Sequence, residues 1–415
     1  MLHDATEGAS EAFAGEPLTA YIGFDPTAPS LHVGSLLPIM GLVHLQRAGH
    51  HPIALVGGGT GLIGDPSGKT EERQLLTREV AEENQAGIRR QLEQFLDFDV
   101  SANPARLVNN LDWLGDLRAL DFLRDVGKHF SVNALIRKET VRRRVEDEDA
   151  GISYTEFSYI LLQAYDFLEL YDRMGCRGQL GGSDQWGNIT SGIDLVRRAR
   201  GAKVYGAVFP LVTTRSGTKF GKTEEGTVWL DPKRTSPFRF YQFWLNIEDE
   251  DAGRYLRYFS LRSRLEIEAI EASAAERPQA REAQRALAEE VTERVHGIGA
   301  LERARAATGV LFGGEIEGMG AEEIEEVFRD VPSSTVPSDD LAGEGRGMVE
   351  LLAELGVTRS RGEARRAMEQ GGIYLNNRRV TATDRRVTLD DSVEGRFLVL
   401  RKGKKSYHLV RLLGP

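Results

Sequence analysis

The chain has 415 residues, a net charge of −10 and 40% hydrophobic residues. That length predicts two or three domains with room for a proper core, and no apolar run is long enough to span a bilayer as a helix. The single cysteine, Cys176, excludes an internal disulfide and a cysteine-based zinc site and fits a reducing compartment.

Residues 1 to about 18 read as a loosely packed lead-in that is acidic and lacks the basic, apolar character of a signal peptide. The stretch YIGFDPTAPSLHVGS, 21–35, reads as a short strand, a turn and a helix entry. Pro38 fits only the first turn of a helix, so the helix is expected to begin near Gly34 to Leu37, with His32 at its mouth. Such a mouth suits an anion; a plain turn with a surface histidine is the other reading. The helix runs to Ala48 and is closed by Gly49. Pro52 to Val56 is a buried-type strand, and a glycine-dense segment follows, Gly57 to Gly68. Strand, helix, strand and glycines imply a parallel sheet with a crevice at the strand carboxyl ends. The pattern is not the G-x-G-x-x-G of a dinucleotide site. Lys69 to Arg73 reads as a polar flap whose cations can fold over an anion.

Glu79 to Phe95 is an amphipathic helix, RLVNNLDWLG a strand with Asn110 near its end, and Leu117 to Val126 helical. The basic block Arg137 to Arg144 then precedes the acidic block Glu146 to Asp149. It reads either as a solvated helix or as a contact for a nucleic-acid backbone. Ser153 and Glu156 form a capping box that opens a helix to Tyr171. On it, Tyr159, Gln163 and Asp166 are spaced i, i+4, i+7 and share one face. A polar stripe among apolar residues needs partners, supplied by an internal network or by a bound polar ligand. Arg177 to Trp186 is a strand that ends in a glycine turn presenting Asp184 and Gln185, Gly187 to Ala199 is a helix, and Tyr205 to Val212 is a strand. Lys219-Phe220-Gly221-Lys222-Thr223 is a glycine-flanked loop, either solvated or able to close on a polyphosphate.

Residues 236–330 are helical in composition and 331–347 read as a linker. The tail, 348–415, holds 14 Lys plus Arg against 8 Asp plus Glu, so it carries about +6 on an otherwise acidic chain. A basic α/β module of this kind is the expected footprint of nucleic-acid binding.

The order LHVGS, GDPSG, FSYILLQAYDF, GGSDQWGN, KFGKT, helical region and basic tail resembles bacterial tyrosyl-tRNA synthetase, a class I aminoacyl-tRNA synthetase, over essentially the whole chain. His32 to Ser35 matches the HIGH signature and Lys219 to Thr223 matches KMSKS; the tail looks like an RNA-binding module shared with a ribosomal protein. The resemblance implies an α/β protein. Its parts are a Rossmann-like parallel-sheet catalytic domain (1–235), an α-helical anticodon-arm domain (236–330), a linker (331–347) and a small basic α/β RNA-binding domain (348–415).

It also implies roles. Tyr21 and Asp166 hold a substrate phenol, Asp65, Tyr159 and Gln163 the α-ammonium, and Gln185 lies near the reacting carboxylate. Asp25, Thr27, His32 and Gly34 serve the phosphates and adenine, and Asp184 the ribose; Lys222 also belongs to the ATP site. Lys219, Lys222 and Thr223, with Lys69 and Arg73, grip the leaving pyrophosphate. Ser35 replaces the last histidine of the signature and is expected to contact the ATP ribose. Arg361, Arg365, Arg366, Lys404 and Lys405 are expected to meet tRNA, with Arg137 to Arg144 and Arg197-Arg198 toward its acceptor stem. The implied partners are L-tyrosine, ATP as substrate with Mg²⁺, tRNA(Tyr) and a second copy of the chain. No organic cofactor, dedicated metal site or membrane is expected, and the location is cytoplasmic. The alternative is a non-catalytic RNA-binding factor on a synthetase scaffold.

Overall fold

The computed structural model describes residues 2–67, 77–146, 151–214, 220–223, 226–403 and 406–414. They form two compact units, Met1–Ser236 with Trp244–Val295 and Pro237–Phe243 with His296–Pro415.

The first unit is built on a six-stranded sheet of β1 (Asp4–Ala5), β2 (Thr19–Phe24), β3 (His51–Val56), β4 (Arg106–Asn109), β5 (Cys176–Gly182) and β6 (Tyr205–Phe209). Their order is β1-β6-β5-β2-β3-β4, parallel except for β1. The chain therefore steps outward from β2 to β3 and β4, returns, and steps the other way through β5 and β6. That reversal leaves a crevice beyond the carboxyl ends of β2 and β5, where open α/β sheets bind ligands. Strand β3 is buried along nearly its whole length, as a central parallel strand covered on both faces must be. The lead-in is more ordered than its composition suggests: β1 pairs with β6, and Ala9–Ala14 is helical.

Three helices carry the site. A single turn, Val33–Ser35, leads into α1 (Leu36–Arg47), with Pro38 in its first turn as expected. Helix α2 (Tyr154–Met174) begins at the Ser153–Glu156 capping box and stops at Gly175, whose φ of +62° is left-handed. Helix α3 (Trp186–Arg200) follows β5. Glu156 is also one half of a buried ion pair, with Arg144 Nη2 donating to it at 2.9 Å. Arg144 is thereby withdrawn from the basic block, and neither a solvated face nor a nucleic-acid contact includes it. Arg142 lies 3.8 Å from Glu146 at the surface, and Lys138 is turned inward onto the Gly187 carbonyl at 2.7 Å.

The second unit contains a five-stranded sheet of β7 (Ser333–Pro337), β8 (Ile373–Leu375), β9 (Arg378–Arg379), β10 (Phe397–Lys402) and β11 (Ser406–Leu413). The order is β9-β8-β10-β11-β7, with only the last pair parallel. Alternation along the strands feeds two cores. Leu398, Leu400, Val410 and Leu412 pack with residues of Met348–Glu354 and Arg361–Glu369. Phe397, Val399, Tyr407 and Leu409 pack with residues of Ile298–Leu311 and Ala321–Val327.

Two expected boundaries therefore move. The 331–347 segment is no free linker, because β7 lies in the sheet and Val336 is buried there. The 236–330 helices do not form one domain, because 244–295 belong to the first unit and 296–330 share a core with the tail. A truncation after residue 347 uncovers Val310, Ile324 and Phe328. Such a protein is expected to bind a hydrophobic dye more strongly than the parent.

Candidate active site

The crevice is a cavity of about 330 Å³ lined from β2, β5, α1, α2 and the loops after β3 and β5. Tyr21 on β2 and Gln179 on β5 are cross-strand partners in register. Both side chains are buried. The Tyr21 hydroxyl and Gln179 Oε1 have no hydrogen-bond partner among the described residues. Both residues line the cavity, so a buried donor and a buried acceptor are left unpaired in its wall, which costs stability.

Asp166 of α2 stands at the same end. Trp113 Nε1 donates to its Oδ1 at 2.7 Å and Asn110 Nδ2 to its Oδ2 at 2.9 Å. Burial pushes its carboxyl up to about 8, against the pull of those two donors and with a further push from Asp25 and Glu169. Burial likewise raises the Tyr21 hydroxyl, and Asp166 adds to it. Asn110 also accepts from the Gly59 amide at 2.7 Å and donates to Thr60 Oγ1 at 2.9 Å. Thr60 donates to Asp25 Oδ1 at 2.7 Å, and the Tyr159 hydroxyl donates to Asp25 Oδ2 at 2.6 Å. One chain of hydrogen bonds therefore runs from Asp166 through the loop after β3 to Tyr159.

A second group lies beside it. Gln185 donates to Asp65 Oδ2 at 2.6 Å, and Gln163 donates to Gln185 Oε1 at 3.2 Å. Asn188 donates to Gln163 Oε1 at 2.9 Å. The stripe Tyr159, Gln163, Asp166 lines the cavity and is internally bonded, as the reading of it as a hydrogen-bond network expects. Asp25 and Asp65 bring carboxylates to this end of the cavity, suited to an ammonium group. Asp184, in the turn Ser183–Gln185 that follows β5, is raised by burial and by Asp65.

His32 caps the turn that opens α1: its Nδ1 accepts from the Gly34 amide at 3.0 Å. With Nδ1 an acceptor, a neutral ring carries its proton on Nε2 and can donate. Gly34 is required for this geometry, since a Cβ there would sit 2.7 Å from His32 Cε1. The same Cβ would lie 3.7 Å from the Phe220 carbonyl oxygen, so the two signatures adjoin. Phe220 itself is buried among Trp244, Tyr255 and Phe259, with its centroid 4.6 Å from that of Tyr255. Gly221 has φ of +81°, and a Cβ on it would strike Val33 at 2.3 Å. The backbone of Lys222–Thr223 pairs with Gly226–Thr227. Thr27 and Ser35 line the cavity. Lys69, Arg73, Lys219, Lys404 and Lys405 lie outside the described residues. Arg361, Arg365 and Arg366 are exposed on the helix Arg361–Glu369 of the second unit.

The family model "tRNA synthetases class I (W and Y)" matches residues 14–313, and the model "Tyrosine--tRNA ligase SYY-like C-terminal domain" matches 323–410. The first leaves tryptophan and tyrosine open. The tyrosine–tRNA ligase of Roseiflexus castenholzii is 55% identical over 413 residues, 100% of this chain and 97% of that protein. Tyrosine–tRNA ligase 1 of Bacillus subtilis is 49% identical over 406 residues, 97% and 94% of the two chains. The chain belongs to the tyrosine–tRNA ligases. A C-terminally truncated mitochondrial tyrosyl-tRNA synthetase of Aspergillus nidulans superposes with a TM-score of 0.68 at 31% identity, covering 75% of this chain and 91% of that one. The enzymatic reading is thus supported and the non-catalytic alternative is not.

In this tyrosine–tRNA ligase, residue-by-residue reading missed several groups. Trp113, Thr60, Gln179 and Asn188 were not singled out, and Asn110 was noticed only for its place near a strand end. The available signal was that strand ends in a parallel sheet converge on one crevice. Asn110 follows β4, Thr60 follows β3, and Gln179 lies on β5 directly across from Tyr21.

Proposed function

We propose that the crevice beyond β2 and β5 is where this tyrosine–tRNA ligase activates its amino acid. The phenol enters between Tyr21 and Asp166, and the ammonium lies toward Asp65, Tyr159 and Gln163. The tyrosine carboxylate oxygen, near Gln185, attacks the α-phosphorus of ATP. The P–O bond to the β-phosphate breaks and pyrophosphate leaves. A terminal ribose hydroxyl of tRNA(Tyr) then takes the tyrosyl group, and AMP is released. No protein nucleophile is needed: the first step asks for positioning and for neutralisation of charge on the phosphates. His32 Nε2–H, the helix mouth at Gly34, and the lysines of KFGKT with Lys69 and Arg73 are assigned to that task. Asp184 and Ser35 are assigned to the ribose, and Asp25 and Thr27 to the nucleotide side. Mg²⁺ is assigned to the ATP phosphates; among the described residues no cluster of three or more His, Cys, Asp or Glu is placed to hold a metal.

The observation that carries the phenol assignment is the buried Tyr21 hydroxyl without a partner. Its test separates binding from folding. Tyr21→Phe removes an unsatisfied polar atom, so the ligand-free protein is expected to keep or raise its Tm. Tyrosine affinity by calorimetry is expected to fall about tenfold, the worth of one buried hydrogen bond. Unchanged affinity would remove Tyr21 from the phenol site.

The proposed assembly is a homodimer. Leu120, Leu123, Val132, Val145 and Tyr154 are exposed within 35 residues of one another in the chain, which supports a second copy as their cover. The proposed location is the cytoplasm, where tRNA is charged. No helix among the described residues is long and apolar enough to cross a membrane.

A further inference from the structure

The helix Asp249–Phe259 of the first unit reaches Thr213 and Phe220, which lie on either side of the first lysine of KFGKT. The Thr213 carbonyl accepts two hydrogen bonds from this helix, one from the Tyr255 hydroxyl at 3.0 Å and one from Arg254 Nη2 at 2.6 Å. Asp251, buried one turn earlier, holds the arginine for this contact: its Oδ1 accepts from the same Nη2 at 2.6 Å. The Phe220 ring lies against the Tyr255 ring, with 4.6 Å between their centres. One buried side chain, Tyr255, thus holds both feet of the loop, Thr213 with its hydroxyl and Phe220 with its ring. The Phe220 amide donates to the Val212 carbonyl at 3.2 Å and closes the neck between the two feet.

Backbone bonds carry this footing on to the other signature. The Gly221 carbonyl accepts from the Val228 amide at 2.9 Å, and the Val228 carbonyl accepts from the Val33 amide at 3.0 Å. The Leu31 carbonyl accepts from the Leu230 amide at 2.9 Å. Leu31 and Val33 flank His32, and Lys222 directly follows Gly221. The backbone that carries Lys222 is therefore tied to the His32 turn on one side and to Tyr255, through Phe220, on the other. Ordering a tyrosine and an arginine on one carbonyl costs side-chain entropy. What that cost secures is a fixed position for the chain.

We propose that Tyr255, with Arg254, is a positioning residue for the adenylation step: it pins the chain at Thr213 and Phe220 and so sets where Lys222 stands relative to His32. The inference rests on the proposed role of KFGKT at the ATP phosphates and extends it to a helix that does not line the crevice. A group that neutralises transition-state charge acts only from the right place, and a shift of about 1 Å costs on the order of 100-fold. Loss of one of the two donors to Thr213 leaves the other in place, so its effect is smaller.

The test compares the full-length parent with Tyr255→Phe and Arg254→Met in tyrosine-dependent pyrophosphate exchange, with Tm and tyrosine affinity by calorimetry measured alongside. Tyr255→Phe keeps the ring on Phe220 and loses only the hydroxyl. Each variant is expected to lower kcat about tenfold per folded molecule. Tyrosine affinity is expected to stay at the parent's level, because Tyr21 and Asp166 are untouched. The same Tyr255→Phe change made in Lys222→Ala is expected to cost less than about threefold, since two changes that act through one lysine do not add. A parent-like kcat per folded molecule in both variants, whatever their Tm, overturns the positioning role and leaves the role of KFGKT standing. Tyrosine affinity that falls in step with kcat overturns it too, as does an undiminished cost in Lys222→Ala. A Lys222→Ala protein as active as the parent would remove the reading of KFGKT on which the inference rests.

Discussion

Asp166→Asn is expected to lower kcat/KM for tyrosine in pyrophosphate exchange on the order of 100-fold, the cost of leaving buried polar groups mispaired in the site. The reason lies in the donors around it. Trp113 and Asn110 each give a hydrogen to one carboxylate oxygen. An asparagine has only one oxygen to offer, so its own NH₂ must face one of those donors. The phenol then meets a misplaced group in a site where unpaired polar atoms are costly, a rule for which tyrosine–tRNA ligases are themselves the reference case. A second readout is independent of catalysis. The Asp166 carboxyl is raised by burial to about 8, from an unfolded value of about 3.9. A proton held more tightly by the folded state favours folding most below the unfolded pKa. That contribution is lost as pH rises toward the folded pKa, at up to about 1.4 kcal/mol per pH unit. Asparagine has no such proton. The Tm of Asp166→Asn relative to the parent is therefore expected to climb between pH 5 and pH 8 in the ligand-free protein. A flat difference would mean that Asp166 is ionised throughout that range.

Gly34→Ala is the second large effect. Its methyl group would lie 2.7 Å from His32 Cε1 and 2.9 Å from Nδ1, which forces the ring off its cap bond to the Gly34 amide. In the proposed arrangement that ring presents Nε2–H to the ATP phosphates, where charge grows as pyrophosphate leaves. Loss of one positioned donor of this kind costs on the order of 100-fold in kcat. The KM for tyrosine is expected to hold, because Tyr21 and Asp166 are untouched. His32→Ala is expected to cost about as much, and the double variant no more than either alone, since both remove one interaction. A parent-like rate in Gly34→Ala, or a loss confined to the tyrosine KM, would contradict the arrangement.

Much of the catalytic unit was legible in the chain because its signals are local. The strand, turn and helix of 19–47 follow from Pro38, Gly34 and Gly49. The start of the helix at Tyr154 follows from a four-residue capping box, and the stripe of Tyr159, Gln163 and Asp166 from helical period alone. What escaped depends on contacts far apart in sequence. Trp113 and Asp166 are 53 residues apart, and Gln185 and Asp65 are 120 apart. No spacing rule joins them; only the converging strand ends do. The resemblance assigns Gly34 to the phosphates and adenine, and the structure adds a nearer reason for a glycine in the His32 ring.

The domain boundaries were harder still. The helices of 236–330 have apolar faces that look alike whichever unit they cover, so their division between two units leaves no mark in composition. Strand β7 sits in a segment rich in Ser and Pro, and only Val336 of its five residues is buried. An edge strand of that kind carries too little alternation to be told from a linker. Arg144 illustrates the limit for charge: a run of arginines gives no sign that one member turns inward to Glu156.

The central claim is that the crevice beyond β2 and β5 reads a phenol and activates its owner with ATP. Exchange of labelled pyrophosphate into ATP, with tyrosine, tryptophan and phenylalanine run side by side on the parent and on Tyr21→Phe, tests it most directly. Exchange driven by tyrosine alone, and weakened in Tyr21→Phe without loss of Tm, is the predicted result. Exchange with tryptophan or phenylalanine at a comparable rate, or tyrosine exchange indifferent to Tyr21, would contradict it.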